Sequence, residues 1–121
     1  WLMPAEVARI PLMSGASGPR ALAITLPHVD SWNSWWDEYG NTVDGFAALN
    51  ATVTAPVERS ACVLVSVDGG AGERPTDVPP VPHTALREHL AALGQAGADE
   101  AILVLDPITA ASVRAVAAAI L

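Results

Sequence analysis

The sequence has no lysine and a single cysteine, and both features narrow what the protein can be. Without a second cysteine, Cys62 cannot form an internal disulfide, and a zinc site built from cysteines is excluded. All six basic residues are arginines, against 13 acidic residues, which gives a formal net charge of −7. Nucleic-acid-binding proteins need clustered basic residues to neutralise the phosphate backbone, and this chain has too few of them. We therefore expect no nucleic-acid partner.

Long apolar runs are also missing. No run approaches the roughly 18 residues of a membrane span, so we expect no membrane partner. Residues 1–6 lack the basic segment of a secretory signal peptide, which makes the cytoplasm the expected location. Hydrophobic residues nevertheless make up 51% of the chain and charged residues only 16%, more apolar than an average soluble domain. This surplus indicates an apolar surface that something else covers.

Four short apolar runs alternate with segments that carry helix signals. The runs are residues 10–13, 29–33, 61–67 and 101–105. The third and fourth are uninterrupted, as strands buried on both faces are. Strand–helix alternation of this kind predicts a parallel α/β sheet.

Helix-start signals follow each run. Pro19 stands where a first helical residue would, before a short helix over 20–26 that Pro27 ends. Asn41 or Thr42, Thr84 and Thr109 are the predicted amino-terminal caps of three further helices. Their predicted inward faces are Val43, Phe46, Ala47 and Leu49, then Leu86, Leu90 and Leu93, then Val113, Val116 and Ile120. The Gly- and Pro-rich segment 68–82 is too long for a simple connector.

Four strand–helix units are half of a (β/α)8 barrel. A full barrel needs about 250 residues, and the chain has 121 and begins without methionine. A half-barrel exposes two unpaired sheet edges. We therefore interpret residues 1–121 as one segment with no second domain, either a fragment or one half of a dimer.

The segment Ser14-Gly15-Ala16-Ser17-Gly18-Pro19-Arg20 joins the first predicted strand to its helix. Glycines let a ligand approach the backbone, free N–H groups at a helix start favour a phosphate, and Ser17 and Arg20 can add side-chain contacts. The spacing matches neither a Walker loop nor a nucleophile elbow. Gly-x-x-Gly turns also precede helices that bind no ligand. From the residues alone, this segment can equally be an ordinary turn without a ligand.

Residues 10–22 and 30–33, together with 93–105, resemble the luciferase-like monooxygenases, above all their deazaflavin-dependent members. The resemblance implies strands 5–8 of a TIM barrel and hydride transfer between an organic substrate and deazaflavin coenzyme F(420), or FMN as the second choice. It assigns Trp32 and Asn33 to the substrate pocket. It assigns the cofactor phosphate to Gly15, Ala16, Ser17, Gly18 and Arg20.

Two segments depart from the family pattern. Residues 51–56 are shorter than the usual helix and loop, and residues 69–82 lack the usual lead into the next helix. The family's first four strands, which supply most catalytic groups, are absent, so the catalytic residues are unknown. The expected partner is a copy of this chain or a chain carrying the first half of the barrel.

Other residue clusters leave alternatives open. Trp32, Trp35, Trp36 and Tyr39 either line a pocket or cover the barrel mouth or an interface. The three histidines have no helix spacing typical of metal ligands, and we expect no metal. Cys62 is expected to be an inert core residue, and Asp106 part of an ordinary turn. Two alternative functions remain, a phosphate- or nucleotide-binding module without catalysis and a structural half-barrel remnant.

Overall fold

The computed structural model describes residues 9–121 and contains a single parallel sheet in this range. Residues 1–6, on which the expectation about a signal peptide depends, lie outside the described part. The strands are β1 Met13–Ser14, β2 Ser31–Ser34, β3 Glu58–Ser66, β4 Val81–Pro82 and β5 Glu100–Asp106. The helices are α1 Pro19–Thr25, α2 Trp36–Tyr39, α3 Val43–Asn50, α4 Leu86–Gln95 and α5 Ala110–Ile120, with 3-10 turns at Leu26–His28 and His83–Ala85.

The sheet is centred on β3. Every strand pair is parallel, in the order β1, β2, β3, β5, which confirms the predicted α/β class. β5 pairs with β3 from Ser60 to Ser66, and β4 pairs with Val65 and Ser66 alone. Because β5 already occupies one edge of β3, β4 lies on the other edge, beyond the end of β2.

The four larger helices pack on one face of the sheet. Neighbouring parallel strands that follow one another along the chain, joined by right-handed crossovers, place their helices on the same side. On this first face the side chains of Ala61, Val63 and Val65 are buried against the helices. The helices contribute Leu22, Phe46, Leu86, Leu93 and Val116. The second face, presented on β3 by Ser60, Cys62, Leu64 and Ser66, is covered near its centre by Trp36 and Val78.

The first strand is shorter than the predicted run 10–13, because a side chain takes over part of its pairing. The Leu12 N–H donates to Asp30 Oδ2 at 2.8 Å, and the N–H groups of Asp30 and Ser31 donate to the Leu12 carbonyl. Arg9 in turn donates to Asp30 Oδ1 at 2.6 Å. This hydrogen bond lowers the pKa of the Asp30 carboxyl, so the carboxylate acceptor persists to more acidic pH than that of an isolated aspartate.

Two of the predicted helix caps are confirmed. The hydroxyl of Thr42 accepts from the Gly45 N–H at 3.1 Å, and that of Thr109 accepts from the Ser112 N–H at 3.0 Å. The prediction for Thr84 is wrong, because Thr84 lies inside a 3-10 turn and α4 begins after Ala85, without a side-chain cap.

The inward face of α5 also differs from the prediction. Val116 is buried and Ile120 packs beside it, but Val113 is 56% exposed. Ser112 occupies the inward position that precedes Val116 by one helical turn. A helix turns about every 3.6 residues, so Ser112, Val116 and Ile120 form the stripe that meets the sheet.

On one edge of β3, the gap between β2 and β4 is filled by a side chain. β2 ends opposite Ala61 and β4 begins opposite Val65. Between them, Asn41 accepts from the Leu64 N–H at 3.1 Å and donates to the Leu64 carbonyl at 2.9 Å. The Asn41 amide therefore takes the place of a residue in a neighbouring strand.

Candidate functional site

The loops that follow β1, β2, β3 and β5 all emerge at one edge of the sheet, because the strands are parallel. In open and closed α/β sheets this carboxyl edge is where ligands bind. The predicted phosphate segment 14–20, the Trp-rich segment and the long loop after β3 all begin at this edge. The candidate site is therefore built from these loops and the second face beneath them.

The phosphate segment is fixed by two contacts on Ala16. Its N–H donates to Ser14 Oγ at 3.2 Å, and its carbonyl accepts from Trp32 Nε1 at 2.7 Å. Ser14 is itself held by Thr25, whose hydroxyl lies 3.1 Å from the Ser14 hydroxyl. The segment is held in place without a ligand, and the Ala16 N–H is no longer free to bind one.

The remaining predicted phosphate residues are accessible. Gly18 precedes α1 without a side-chain cap, and a Cβ added there would meet no atom within 4 Å. Arg20 is exposed, and no acidic residue lies in the first turn of α1. Because α1 has only seven residues, its dipole adds little. An anion here would be held by loop N–H groups, the Ser17 hydroxyl and the Arg20 charge.

A cleft of about 260 Å³ lies beside this segment. Its walls include Ser17 and Pro19 from the segment and Thr52 and Thr54 from the stretch after α3. Three of these four residues carry hydroxyl groups. The Thr52 hydroxyl already donates to the Leu49 carbonyl, and the other wall residues are the apolar Leu22, Ala23 and Leu26. The cleft is therefore mainly apolar, with the Ser17 and Thr54 hydroxyls left to contact a ligand.

Trp32 and Asn33, predicted to line one pocket, lie on opposite faces of the sheet. Trp32 is fully buried on the first face, where its ring stacks with Phe46 at 6.4 Å. Its indole holds the phosphate segment and does not border an open pocket. Asn33 pairs with Ser60 and so lies on the second face. Its Oδ1 is buried and has no hydrogen-bond partner within residues 9–121.

The Trp-rich segment is likewise divided between the two faces. Tyr39 packs in the first-face core, but Trp36 packs on Cys62 and Leu64 of the second face. Trp36 is 3% exposed, and its Nε1 finds no hydrogen-bond partner in the part of the chain described. Trp35 is partly exposed, and its ring lies 3.7 Å from that of Trp36 between centroids. Alternation along a four-residue strand does not reveal this division, because the helix that follows redirects the later side chains.

Asp106 has a role that the sequence interpretation missed. Its carboxylate accepts from the N–H groups of Ala71 and Gly72 at 2.9 and 3.1 Å, and from that of Glu73 at 3.4 Å. Gly70 and Gly72 have φ values of 77° and 70°, which turn successive N–H groups toward one point as in an anion-binding nest. The carboxylate of Asp106 therefore fills this nest from within the chain.

We expect Asp106→Ala to loosen the loop after β3, because three N–H groups lose their acceptor at once. Limited proteolysis with a glutamate-specific endoproteinase measures this at the exposed Glu73, and cleavage there should become about tenfold faster. Asp77→Ala, in the same loop and exposed, is the matched control and should leave the rate unchanged. Equal cleavage rates in both variants would show that the Asp106 contacts do not order the loop.

Three further reactive side chains in the described range are Cys62, Tyr39 and His89, and each is partly or fully buried. Burial raises the pKa of the Cys62 thiol to about 11, so the thiol is protonated at neutral pH and a poor nucleophile. The hydroxyl of Tyr39 donates to the Cys62 carbonyl at 2.7 Å, and burial raises the Tyr39 pKa. Burial lowers the pKa of His89, which lies in the first turn of α4 and borders the same small cleft as Val43 and Val81. Within residues 9–121 no group of three His, Cys, Asp or Glu side chains is placed to hold a metal ion.

Comparison with known proteins leaves the family open. The sequence matches no protein-family model, and no curated protein matches it. In the described range no helix has the length and apolar character needed to cross a bilayer. What the observations establish is a parallel α/β sheet with an accessible Gly- and Ser-containing loop at its carboxyl edge and two unpartnered polar atoms on its second face.

Proposed function

We propose that this chain is the carboxyl-terminal half of a luciferase-like (β/α)8 oxidoreductase, contributing strands 5–8 and the cofactor-phosphate loop. The cofactor is deazaflavin coenzyme F(420) or FMN, and the substrate is a small organic molecule. When bound, the cofactor supplies the hydride chemistry. The residues of this chain bind it and orient it.

The architecture supports the half-barrel part of this proposal. Strands β1, β2, β3 and β5 follow one another in space as they do along the chain, all parallel, with the larger helices on one face. A closed (β/α)8 barrel repeats this arrangement around a ring, with its helices outside and its active site at the carboxyl edge. The second face then corresponds to the barrel interior.

The single observation that carries the functional part is the pair of unpartnered polar atoms on the second face. Buried polar groups are nearly always hydrogen-bonded, and an exception calls for a reason. Asn33 Oδ1 is an acceptor and Trp36 Nε1 is a donor. The pyrimidine edge of a flavin or deazaflavin carries both N–H donors and carbonyl acceptors, the two kinds of partner that these atoms lack.

The loop at the same edge supports the phosphate part. Ser17, Gly18 and Arg20 present a hydroxyl, an uncapped backbone and a positive charge. Gly15 and Ala16 have a different role from that predicted by the resemblance. The Ala16 N–H is committed to Ser14, and Gly15 has no positive φ and lies near the Asn33 carbonyl. These two residues shape the loop, and the phosphate contacts fall to the other three.

A phosphate- or nucleotide-binding module without catalysis is the second candidate. The observation that favours it is the cleft beside Ser17, which is lined by Thr52 and Thr54 and lies apart from the second face. Such a module would bind phosphate through the loop and make no use of Asn33 or Trp36. The two candidates therefore differ in whether the second face takes part in binding.

The test is a cofactor titration with variants that separate the phosphate loop from the second face. Arg20→Gln and Gly18→Val should each weaken FMN binding by about tenfold. Arg20→Gln removes a charge-assisted contact to the phosphate, and Gly18→Val shields a backbone N–H from it. Asn33→Leu and Trp36→Phe should weaken FMN binding to a similar extent but leave binding of inorganic phosphate unchanged. Isothermal calorimetry measures both ligands, and Arg114→Gln, exposed on α5, is the matched control.

Each outcome decides between the candidates. If the second-face variants bind FMN as tightly as the unmodified chain and the loop variants do not, the phosphate module is correct. If neither set changes FMN affinity, the loop and the second face are not the cofactor site. If the chain binds no phosphate-bearing ligand at all, alone or with the first half of the barrel supplied, the oxidoreductase proposal is wrong.

A further inference from the structure

The two outermost strands leave matching edges unpaired. Within residues 9–121, β1 pairs with β2 alone and β5 with β3 alone. Both edges run in the same direction, because every strand in the sheet is parallel. An unpaired edge offers a row of backbone donors and acceptors to a strand that runs alongside it.

The side chains along both edges are apolar and accessible. Ile10 is 74% exposed and Leu12 50% exposed on the β1 side, and Ile102 is 41% exposed on β5. Ile102 lies on the second face, because it pairs with Cys62, and the Trp36 and Val78 cover at the centre of that face leaves it accessible at the β5 edge. Burying exposed apolar surface is favourable in proportion to the area removed from water.

Opposite charges lie at the amino ends of the two edges. Arg9, which precedes β1, has a side chain that is 67% exposed although it contacts Asp30. Glu100, the first residue of β5, is exposed although its carboxylate accepts from the Ser60 hydroxyl at 3.1 Å. If a β5 strand lies parallel to a β1 strand, these opposite charges come to the same end of the pair, which favours that orientation over an antiparallel one.

We propose that a second copy of this chain pairs with the first, β5 of each copy lying beside β1 of the other, so that eight strands close into a ring. The inference rests on the half-barrel part of the proposed function and is independent of its cofactor. A helix or a single strand can satisfy at most one edge. A second copy related by a two-fold axis parallel to the strands places its β5 beside β1 and its β1 beside β5 of the first copy. Both edges of each sheet are then paired.

Closure also changes the composition of the site. The β5 carboxyl end of one copy, with Asp106 and the loop it holds, comes next to the segment Gly15–Gly18 of the other. Each carboxyl-edge site is then formed by loops from both copies. The second faces of the two copies meet in the ring interior, where Asn33 and Trp36 of each copy lie.

Cross-linking between variants that each carry one added cysteine tests this arrangement directly. Leu12→Cys and Ala101→Cys place a thiol on the β1 and β5 edges, at exposed positions. A short bismaleimide should join the two variants when they are mixed and refolded together, and should join neither variant to itself. The unmodified chain, whose Cys62 is buried, and Ala118→Cys on the exposed side of α5 are the controls and should not cross-link.

Sedimentation equilibrium supplies an independent measurement. The chain, of 12.5 kDa, should sediment as a dimer at micromolar concentration. Ile102→Arg should raise the dimer dissociation constant by at least about tenfold, because a cation replaces an apolar contact at the β5 edge. Circular dichroism on the same sample shows whether that variant has kept its fold.

Three results overturn the inference. Cross-linking of Ala101→Cys to itself would show that like edges meet, and a folded monomer at all concentrations would show that the edges stay unpaired. A dimer whose dissociation constant is unchanged by a folded Ile102→Arg variant would place the interface elsewhere. If the chain nevertheless binds FMN as proposed, only the second-copy closure is wrong. If the mixed cross-link forms and no cofactor binds, only the oxidoreductase function is wrong.

Discussion

Replacing Gly45 with alanine is expected to lower the free energy of unfolding by about 3 kcal/mol or more, the upper range for overpacking a tight contact. A Cβ at this position would overlap the Tyr39 carbonyl oxygen and would lie 2.9 Å from Thr42 Oγ1. The Tyr39 carbonyl belongs to the last residue of α2, and Gly45 lies in the first turn of α3. The two helices can approach this closely only because Gly45 has no side chain.

Urea unfolding followed by circular dichroism measures the effect. The matched control is Gly94→Ala in α4, where an added Cβ meets no atom within 4 Å. That substitution should stabilise the protein by about 0.5–1 kcal/mol, because alanine is the better helix former. A Gly45→Ala variant as stable as the unmodified protein would mean that α2 and α3 are not packed in this way.

Asn41→Ala is the second substitution with a large expected effect, about 3 kcal/mol lost from the free energy of unfolding because buried backbone groups lose their partners. The Asn41 side chain accepts from the Leu64 N–H and donates to the carbonyls of Leu64 and Pro79. All three contacts are buried or partly buried, so water cannot readily replace them. The Asn41 backbone also has a φ of 56°, which asparagine tolerates better than alanine.

Asn41→Gly separates the hydrogen bonds from the backbone strain, because glycine adopts a positive φ freely and makes none of the side-chain contacts. Its stability should lie within about 1 kcal/mol of that of Asn41→Ala if the hydrogen bonds dominate. Thermal unfolding of the three proteins measures the difference. Recovery of the full stability in Asn41→Gly would assign the effect to the backbone and contradict the hydrogen-bond explanation.

Local signals were sufficient to predict much of the fold. The uninterrupted apolar runs predicted β3 and β5, and the runs of the four units predicted a parallel sheet. Thr42 and Thr109 were predicted as caps because a cap depends on residues two or three positions along the chain. In each case the interactions that decide the structure lie close together in the sequence.

The missed features depend on residues far apart in the sequence. β4 forms because an edge of β3 is available near Val65, which nothing in the sequence around Val81 and Pro82 reveals. Asn41 hydrogen-bonds to Leu64, 23 residues away. Its residue type and its position before α3 suggested only a helix cap. The Trp residues were predicted as one cluster, because the pattern could not show that Trp32 and Trp36 pack on opposite faces. Of the candidate site, the sequence predicted the location at the carboxyl edge and Asn33, and gave Trp36 only as one of four aromatic residues that line a pocket or cover an interface.

The carboxylate of Asp106 also links the order of synthesis to the order of folding. The N–H groups of Ala71 and Gly72 emerge early from the ribosome, and their acceptor follows 35 and 34 residues later. Until β5 lies beside β3, the loop after β3 has no internal acceptor and its backbone is open to solvent and proteases. The loop is therefore completed only when β5 is in place beside β3.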